Sequence, residues 1–249
     1  MRTICIINQK GGVGKTTTAV NLAAGLSRHD KKVLLIDLDP QGNVDASLKV
    51  KADYDIYDAL TNKTEIHQCV VNMGKNFDII SSKETLTKAE YYLARQENSR
   101  LILKGLLSKI NGYDFMIIDC PPSLGMLNQN VLAFCKEAFI PVSTDYLGYD
   151  ALAKMEKVIK SINHNYGNDL KITKIIPTMF DKRNKICKET LAIIQQEYPE
   201  LTTYPIRQNS KLKEAPKYGK SIFNYAKSSH GAKDYGKLVE DTLAMSEIA

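Results

Sequence analysis

The 249-residue chain is predicted to be an α/β protein, a doubly wound and mostly parallel sheet with helices on both faces. Three observations predict it. Short apolar runs alternate with longer amphipathic stretches, several of the runs end in a carboxylate or a glycine-rich turn, and a hydrophobic content of 43% over this length is enough to bury a large core. The runs place strands at 3–8, 32–37, 77–81, 114–119, 138–142 and 172–177, with another near 202–206. Helices are predicted over 16–28, 86–110, 126–135, 151–163, 185–197 and 232–246. No repeat or low-complexity linker divides them, so one domain spanning 1–249 is expected.

The first strand runs into Asn8-Gln-Lys10-Gly11-Gly12-Val13-Gly14-Lys15-Thr16-Thr17-Thr, and a helix follows at once. A glycine-rich turn in this strand-loop-helix setting can point successive backbone N–H groups at phosphate oxygens, and the positive end of the helix dipole adds to that cradle. Lys15 is placed to reach the β- and γ-phosphates, Thr16 to ligate Mg²⁺ and Thr17 to donate to the α-phosphate. The pattern G-x-x-x-x-G-K-[ST] asks for glycine at position 9, where this chain has Gln9, and an extra lysine follows at Lys10. On residue type alone Lys10 can also be a solvated loop charge.

Carboxylates close two further runs. The stretch Val33 to Ile36 leads into Asp37-Leu-Asp39-Pro, so both acids emerge at the carboxyl end of a parallel strand, where ligands bind in open α/β sheets, and alternate residues face the same way. Phe115 to Ile118 leads into Asp119-Cys-Pro-Pro, and a carboxylate so placed can hold Mg²⁺ through a water. Asp37 and Asp39 can alternatively act as strand-end caps that accept backbone N–H groups.

Five cysteines, Cys5, Cys69, Cys120, Cys135 and Cys187, include no C-x-x-C pair and lie in apolar surroundings, as small core residues do. No apolar run approaches the length of a membrane span. The amino terminus leads almost directly into the first strand, so neither a leader peptide nor a separate N-terminal helix-turn-helix domain is expected, and a cytoplasmic setting follows. The net charge of +6 is uneven: residues 171–237 hold fourteen Lys or Arg against six Asp or Glu. Such a stretch can neutralise DNA phosphates without reading sequence, and Arg183, Lys211, Lys213, Lys217 and Lys220 are the first candidates. The alternative is an ordinary solvated face.

These motifs together resemble the ParA/Soj partitioning ATPases, within the larger group that includes MinD and the nitrogenase iron protein. The resemblance rests on the deviant Walker A loop at Lys10 to Thr16, the Asp37-Leu-Asp39-Pro-Gln-Gly-Asn motif, Asp119-Cys-Pro-Pro-Ser, Pro177-Thr-Met-Phe-Asp and Lys211-Leu-Lys-Glu-Ala-Pro. It implies a P-loop NTPase of the deviant Walker A class, a Mg²⁺-dependent ATPase with ATP and Mg²⁺ as its cofactors. It also implies that Lys10 crosses to the phosphates bound by a second copy in an ATP-state homodimer, completing a catalytic set of Lys10, Lys15 and Asp39. Asp39 would position or deprotonate the attacking water, and Asp37 would act around the metal held by Thr16 and Asp119. Arg183 and Lys211 match family DNA contacts, although relatives commonly place arginine where this chain has Lys211. Asn209 matches a residue that reads adenine, but the family's Ile-Pro-Arg-Asn is here Ile206-Arg207-Gln208-Asn209, and a turn-forming Asn is the competing reading.

The implied function is an ATP-driven switch. It binds nucleoid DNA non-specifically and partitions a plasmid or chromosome with a ParB-like partner. The alternative is a MinD-like, membrane-associated division-site ATPase, which needs a basic amphipathic C-terminal helix. The segment from Leu238 to Ala249 is acidic and lacks lysine, so no membrane partner is expected. An iron–sulfur protein would need bridging ligands such as Cys120 with Cys135, and their setting reads as core.

Overall fold

The computed structural model describes residues 1–97 and 99–245. The last four residues of the acidic C-terminal segment therefore lie outside the described residues. In chain order the elements are β1 (Arg2–Ile6), α1 (Lys15–Arg28), β2 (Val33–Asp37), α2 (Asn43–Leu48), α3 (Ile56–Leu60), β3 (Val70–Gly74), β4 (Phe77–Ile80), α4 (Ala89–Ala94) and α5 (Ile102–Leu107). There follow β5 (Phe115–Asp119), α6 (Met126–Phe134), β6 (Glu137–Ser143), α7 (Tyr146–Tyr166), β7 (Lys171–Thr178), α8 (Lys185–Glu197), α9 (Ser210–Glu214), α10 (Ile222–Tyr225) and α11 (His230–Ala244).

The strands form one sheet in the order β3-β4-β2-β5-β1-β6-β7, parallel except for β3, which pairs antiparallel with β4 at the edge. Strand side chains alternate between two hydrophobic layers, as the two-residue period requires. Cys5, Leu34, Ile36, Met116 and Ile118 face the layer closed by α4 to α7. Ile4, Ile6, Val33, Leu35 and Ile117 face α1, α2 and α11. Helix α1 lies so close to α11 that a Cβ on Gly25 would stand 3.1 Å from Phe223 Cε2 and nearer still to Val239 Cγ2. An absent side chain there permits the contact. A bidentate ion pair between buried Arg2 and Glu137, with both N–O distances 2.7 Å, ties β1 to β6 beneath this layer.

Three sequence expectations need correction. The helix expected over 86–110 is broken into a 3₁₀ turn at Glu84–Lys88, α4 and α5. The buried Asn130 of α6 explains the break: its amide donates to Ser99 O at 2.8 Å and its Oδ1 accepts Leu103 N at 3.1 Å, pinning a polar turn and starting a new helix. No strand forms at 202–206. Thr203 N donates to Ile175 O at 2.9 Å, but the next donor on a parallel ladder would be Pro205, which has none. Ile206 N donates to Pro177 O instead, leaving isolated bridges. The third is the edge strand β3, which the sequence reading left out. It enters β4 through a tight turn with Gly74 at φ 139° and Asn76 at φ 61°. The expected helix over 185–197 is α8 itself, started by Asn184, whose side chain accepts Ile186 N.

Candidate functional site

Strand register builds the site. Ile6 pairs with Asp119 and Asp119 with Asp37, so the start of the glycine loop and two acids meet at one carboxyl edge of the sheet. From Ile6 the chain enters the loop, which is held from beneath by buried side chains. Asn8 donates its amide to Pro141 O at 2.8 Å and accepts Lys10 N on its Oδ1 at 3.0 Å. Thr178, at the end of β7, donates to Val13 O at 2.9 Å. Gly12 (φ 74°) and Gly14 (φ 90°) adopt left-handed conformations that other residues rarely take. A Cβ on Gly11 or Gly12 would meet nothing within 4 Å, so the loop borders open space.

Gly14 is the N-cap of α1 and has no side chain to offer the first turn, which also lacks an acidic residue. The helix N-terminus thus presents N–H groups and a positive dipole to the space above the loop. Lys15 folds back over the loop with Nζ 3.3 Å from Lys10 O. Burial lowers its pKa from the usual lysine range, and the charges of Asp119 and Asp39 oppose that. Lys10 points the other way: its Nζ donates to Asp145 Oδ1 at 2.6 Å and Ser143 Oγ at 2.9 Å. Asp145 also caps α7 by accepting Gly148 N at 2.8 Å.

The three acids differ sharply in their partners. Asp37 accepts Asp39 N on Oδ1 at 2.9 Å and Val44 N on Oδ2 at 3.1 Å, so it holds the second motif and the start of α2. Burial, then the charge of Asp119, raises its pKa well above the carboxylate range. Asp39 accepts Gln41 N at 3.0 Å, while Ser82 Oγ donates to its carbonyl at 2.6 Å. Asp119 is buried, and neither of its carboxylate oxygens has a hydrogen-bond partner. Burial pushes it up to about 7 against the pull of the Thr16 hydroxyl and the Lys15 ammonium beside it. An orphaned carboxylate next to a threonine hydroxyl fits a Mg²⁺ ion that takes its remaining oxygens from phosphate and water. No cluster of three His, Cys, Asp or Glu side chains able to hold a metal occurs among the described residues.

Beside the loop lies a cavity of about 370 Å³, between Gly14 and Thr17 on one side and Met179, Gln208, Asn209 and Pro216 on the other. Its size is in the range of small-molecule clefts. Asn209 borders the cavity while its Oδ1 caps α9 through Lys211 N at 2.8 Å, so the turn role holds at a site that also faces the cavity. A cleft of about 400 Å³ elsewhere, lined by Arg28, Phe77, Lys220 and Asn224, shares no residue with the loop.

The basic candidates are dispersed. Lys211, on α9, pairs with Glu214 at 2.8 Å, and Lys213 borders the loop-side cavity. Lys217 lies over the ring of Tyr218, and Lys220 lines the other cleft. Arg183 is exposed at the start of α8 and forked onto Asp181. All five cysteines are free and buried. Sequence reading missed the anchoring role of Asn8 within the loop, missed Ser143, Asp145 and Thr178, which grip the loop from more than 130 residues away, and missed Glu90, which accepts Met126 N at 2.6 Å and Leu127 N at 3.2 Å at the start of α6.

The comparisons with known proteins agree with this geometry. The family model described as "AAA domain" matches residues 1–172. The chromosome-partitioning ATPase Soj of Treponema pallidum is 36% identical over 98% of this chain and 97% of its own length. The sporulation initiation inhibitor protein Soj of Bacillus subtilis is 35% identical over 97% of this chain and 98% of its own. Among solved structures, a plasmid partition protein from Borrelia burgdorferi bound to AMPPNP superposes with a TM-score of 0.84 at 26% identity, covering 97% of this chain and 98% of that one. Cobyrinic acid a,c-diamide synthase from Mycobacterium smegmatis, with bound ATP analogue and magnesium, gives 0.83 at 29% identity, covering 98% and 94%. The glycine loop, the strand-end acids and these full-length relationships lead to one conclusion: the chain belongs to the AAA-domain family and, within it, to the ParA/Soj group of partitioning ATPases.

Proposed function

We propose that this chain, acting as one ATPase domain over residues 1–249, binds ATP with Mg²⁺ at the carboxyl edge of its sheet and hydrolyses it as a dimerising switch that partitions DNA. The observation that carries this reading is Asp119, a buried carboxylate with both oxygens unpartnered at the mouth of a glycine loop. Backbone N–H groups of Gly11, Gly12, Val13, Gly14 and Thr17 and the ammonium of Lys15 receive the phosphates. Thr16 and Asp119 hold the Mg²⁺, and Asp37 shapes the field around its waters. Bound there, Mg²⁺ supplies charge neutralisation to the phosphate oxygens.

Asp39 orients the attacking water and takes its proton as the water oxygen bonds to the γ-phosphorus and the β–γ bridging bond breaks, releasing ADP and phosphate. Lys10 leaves Asp145 and reaches the nucleotide of the second copy. An ion pair as exposed as Lys10 with Asp145 contributes only about 0.2–1 kcal/mol, a small barrier against contacts to a triphosphate. The base lies in the cavity bordered by Asn209. The ATP-state homodimer binds DNA non-specifically through Arg183, Lys211, Lys213, Lys217 and Lys220, in a cytoplasmic, nucleoid-associated cycle driven by a ParB-like partner. A membrane partner is not part of this reading; no helix among the described residues is long and apolar enough to cross one.

The test is DNA retention by wild-type, Lys15→Ala and Arg183→Ala proteins with ATP or ADP across a salt series. Retention that requires ATP, falls with salt and is lost in both variants supports the reading. Retention indifferent to nucleotide and to Arg183 overturns it.

A further inference from the structure

One face of α11 organises the walls of the loop-side cavity. Gly231, Asp234 and Tyr235 are spaced i, i+3, i+4 and so project together. Tyr235 is buried, and its hydroxyl lies 3.1 Å from Thr18 Oγ1 on the phosphate-side helix α1. Gly231 abuts Leu212 on the opposite wall, where a Cβ would come within 2.9 Å of Leu212 Cγ. Asp234, with no exposed side-chain area, receives three hydrogen bonds from one residue: Arg207 N at 3.0 Å, Arg207 Nε at 3.0 Å and Arg207 Nη2 at 2.6 Å.

That fork falls on segment 206–209, which carries Gln208 and Asn209 at the cavity. The segment is also held by Ile206 N on Pro177 O at 2.8 Å, Phe180 N on Ile206 O at 3.1 Å and Gln208 N on Phe180 O at 3.0 Å, in isolated bridges outside any continuous ladder. A guanidinium fork plus the residue's own N–H on one buried carboxylate fixes both side chain and backbone at Arg207. Arg207 borders the cavity too, but its guanidinium is committed to Asp234 of α11, so it is a positioning residue.

We propose that Arg207 and Asp234 form a clamp that sets segment 206–209 at the height and angle needed to read the edge of a purine base, giving the cavity its preference for adenine over guanine. The proposal rests on the nucleotide reading of the cavity given above. Asp234 acts through Arg207, and Arg207 through Gln208 and Asn209. The phosphate cradle is built from other elements, so loosening the clamp leaves it in place.

The experiment is calorimetric binding of ATP, GTP and inorganic tripolyphosphate, each with Mg²⁺, to wild-type, Asp234→Asn and Arg207→Lys proteins. The wild type is expected to bind ATP at least tenfold more tightly than GTP or tripolyphosphate. Both variants are expected to lose most of the ATP-to-GTP ratio while tripolyphosphate affinity stays within about twofold, since a fork reduced to a point charge or a neutral acceptor still spares the loop. A merely structural weakening would move all three ligands together. Arg207 is partly exposed, so Arg207→Lys carries the test on its own where the buried Asp234→Asn protein does not fold. An unchanged ATP-to-GTP ratio in a variant with intact tripolyphosphate binding overturns the clamp. Equal affinity of the wild type for ATP and tripolyphosphate overturns the underlying base-site reading before any substitution is made.

Discussion

Replacing Asp119 by asparagine separates stability from function in opposite directions. Burial raises its carboxylate from an ordinary 3.8 to about 7, outweighing the opposing pull of the Thr16 hydroxyl and the Lys15 ammonium. Between those values the folded chain keeps the Asp119 proton and the unfolded chain has lost it, so the fold loses stability as pH rises from about 4 to about 7. At about 1.4 kcal/mol per pH unit, the full cost of an ionised Asp119 is on the order of 4 kcal/mol above neutral pH. The amide that replaces it is itself a buried polar group without partners, which returns about 2 kcal/mol of that. The ligand-free Asp119→Asn protein is therefore expected to be more stable than wild type by about 2 kcal/mol, or about 4–8 °C in Tm for a chain of this size, near pH 8. The advantage should shrink as pH falls to about 5. Added ATP with Mg²⁺ should raise the wild-type Tm, by about 2.7 kcal/mol at a hundredfold excess over Kd, and the variant much less. Scanning calorimetry at several pH values, with and without ligand, reads both effects. A ligand-free variant that melts at or below wild type throughout would refute the account of a buried charge only partly compensated. Equal stabilisation of both proteins by ATP with Mg²⁺ would remove Asp119 from the metal.

Four further outcomes follow from named contacts. Asp145→Asn keeps an N-cap acceptor for Gly148 but removes the charge that pairs with Lys10, which retains Ser143 Oγ; ATP-dependent dimerisation, followed by sedimentation, should need up to about fivefold less protein. Glu90→Ala removes the acceptor for two N–H groups at the start of α6 and should cost about 1 kcal/mol in urea unfolding, with kcat for ATP changing more than KM. Gly25→Ala drives a methyl into Val239 and Phe223, an overpacking cost of about 1–3 kcal/mol, and Val239→Ala in the same chain should restore most of it. Glu137→Gln leaves Arg2 buried beside a neutral partner, and chemical denaturation should show a loss of about 3–5 kcal/mol.

What was legible in the sequence was contiguous. The glycine loop announces itself in eleven adjacent residues, and Asp37 and Asp119 are visible because each is the first acid after an apolar run, at the carboxyl end of its strand. The limits of α8 could be read because Asn184 is a local cap. What could not be read was decided at a distance. The break between α4 and α5 depends on Asn130, about thirty residues downstream, whose side chain competes for the backbone of 99–103. The failed strand at 202–206 depends on which ladder position Pro205 occupies, a matter of register rather than propensity. Lys213 carries the same charge as its neighbours in the basic stretch, yet only its fold position puts it at the loop-side cavity. Arg207 looked like a departure from the family pattern, and its role emerges only when Asp234 is brought beneath it.

The distribution of ties around the loop says where a response to nucleotide can arise. On one flank Asn8, Val13 and Lys10 are fastened to β6, β7 and the start of α7, and Thr18 to α11, so the cradle moves only with whole core elements. On the other flank Asp119 is locked to β1 by strand register, with Cys120 N donating to Ile6 O at 3.2 Å. Strands whose side chains are fully buried resist displacement because close-packed cores do not deform continuously. The residues just past Asp119 are different: Ser123 is exposed, and segment 121–125 is held by the Asn128 amide on Pro121 O and Ser123 O and by Glu90 at its far end. In the proposed cycle, a change in phosphate charge beside Asp119 would meet stiff strands behind it and, in front, a segment tied through Asn128 of α6 and Glu90 of α4. A response to hydrolysis in that proposed ATPase cycle would therefore arise more readily in segment 121–125, next to α6, than in the sheet that carries the loop.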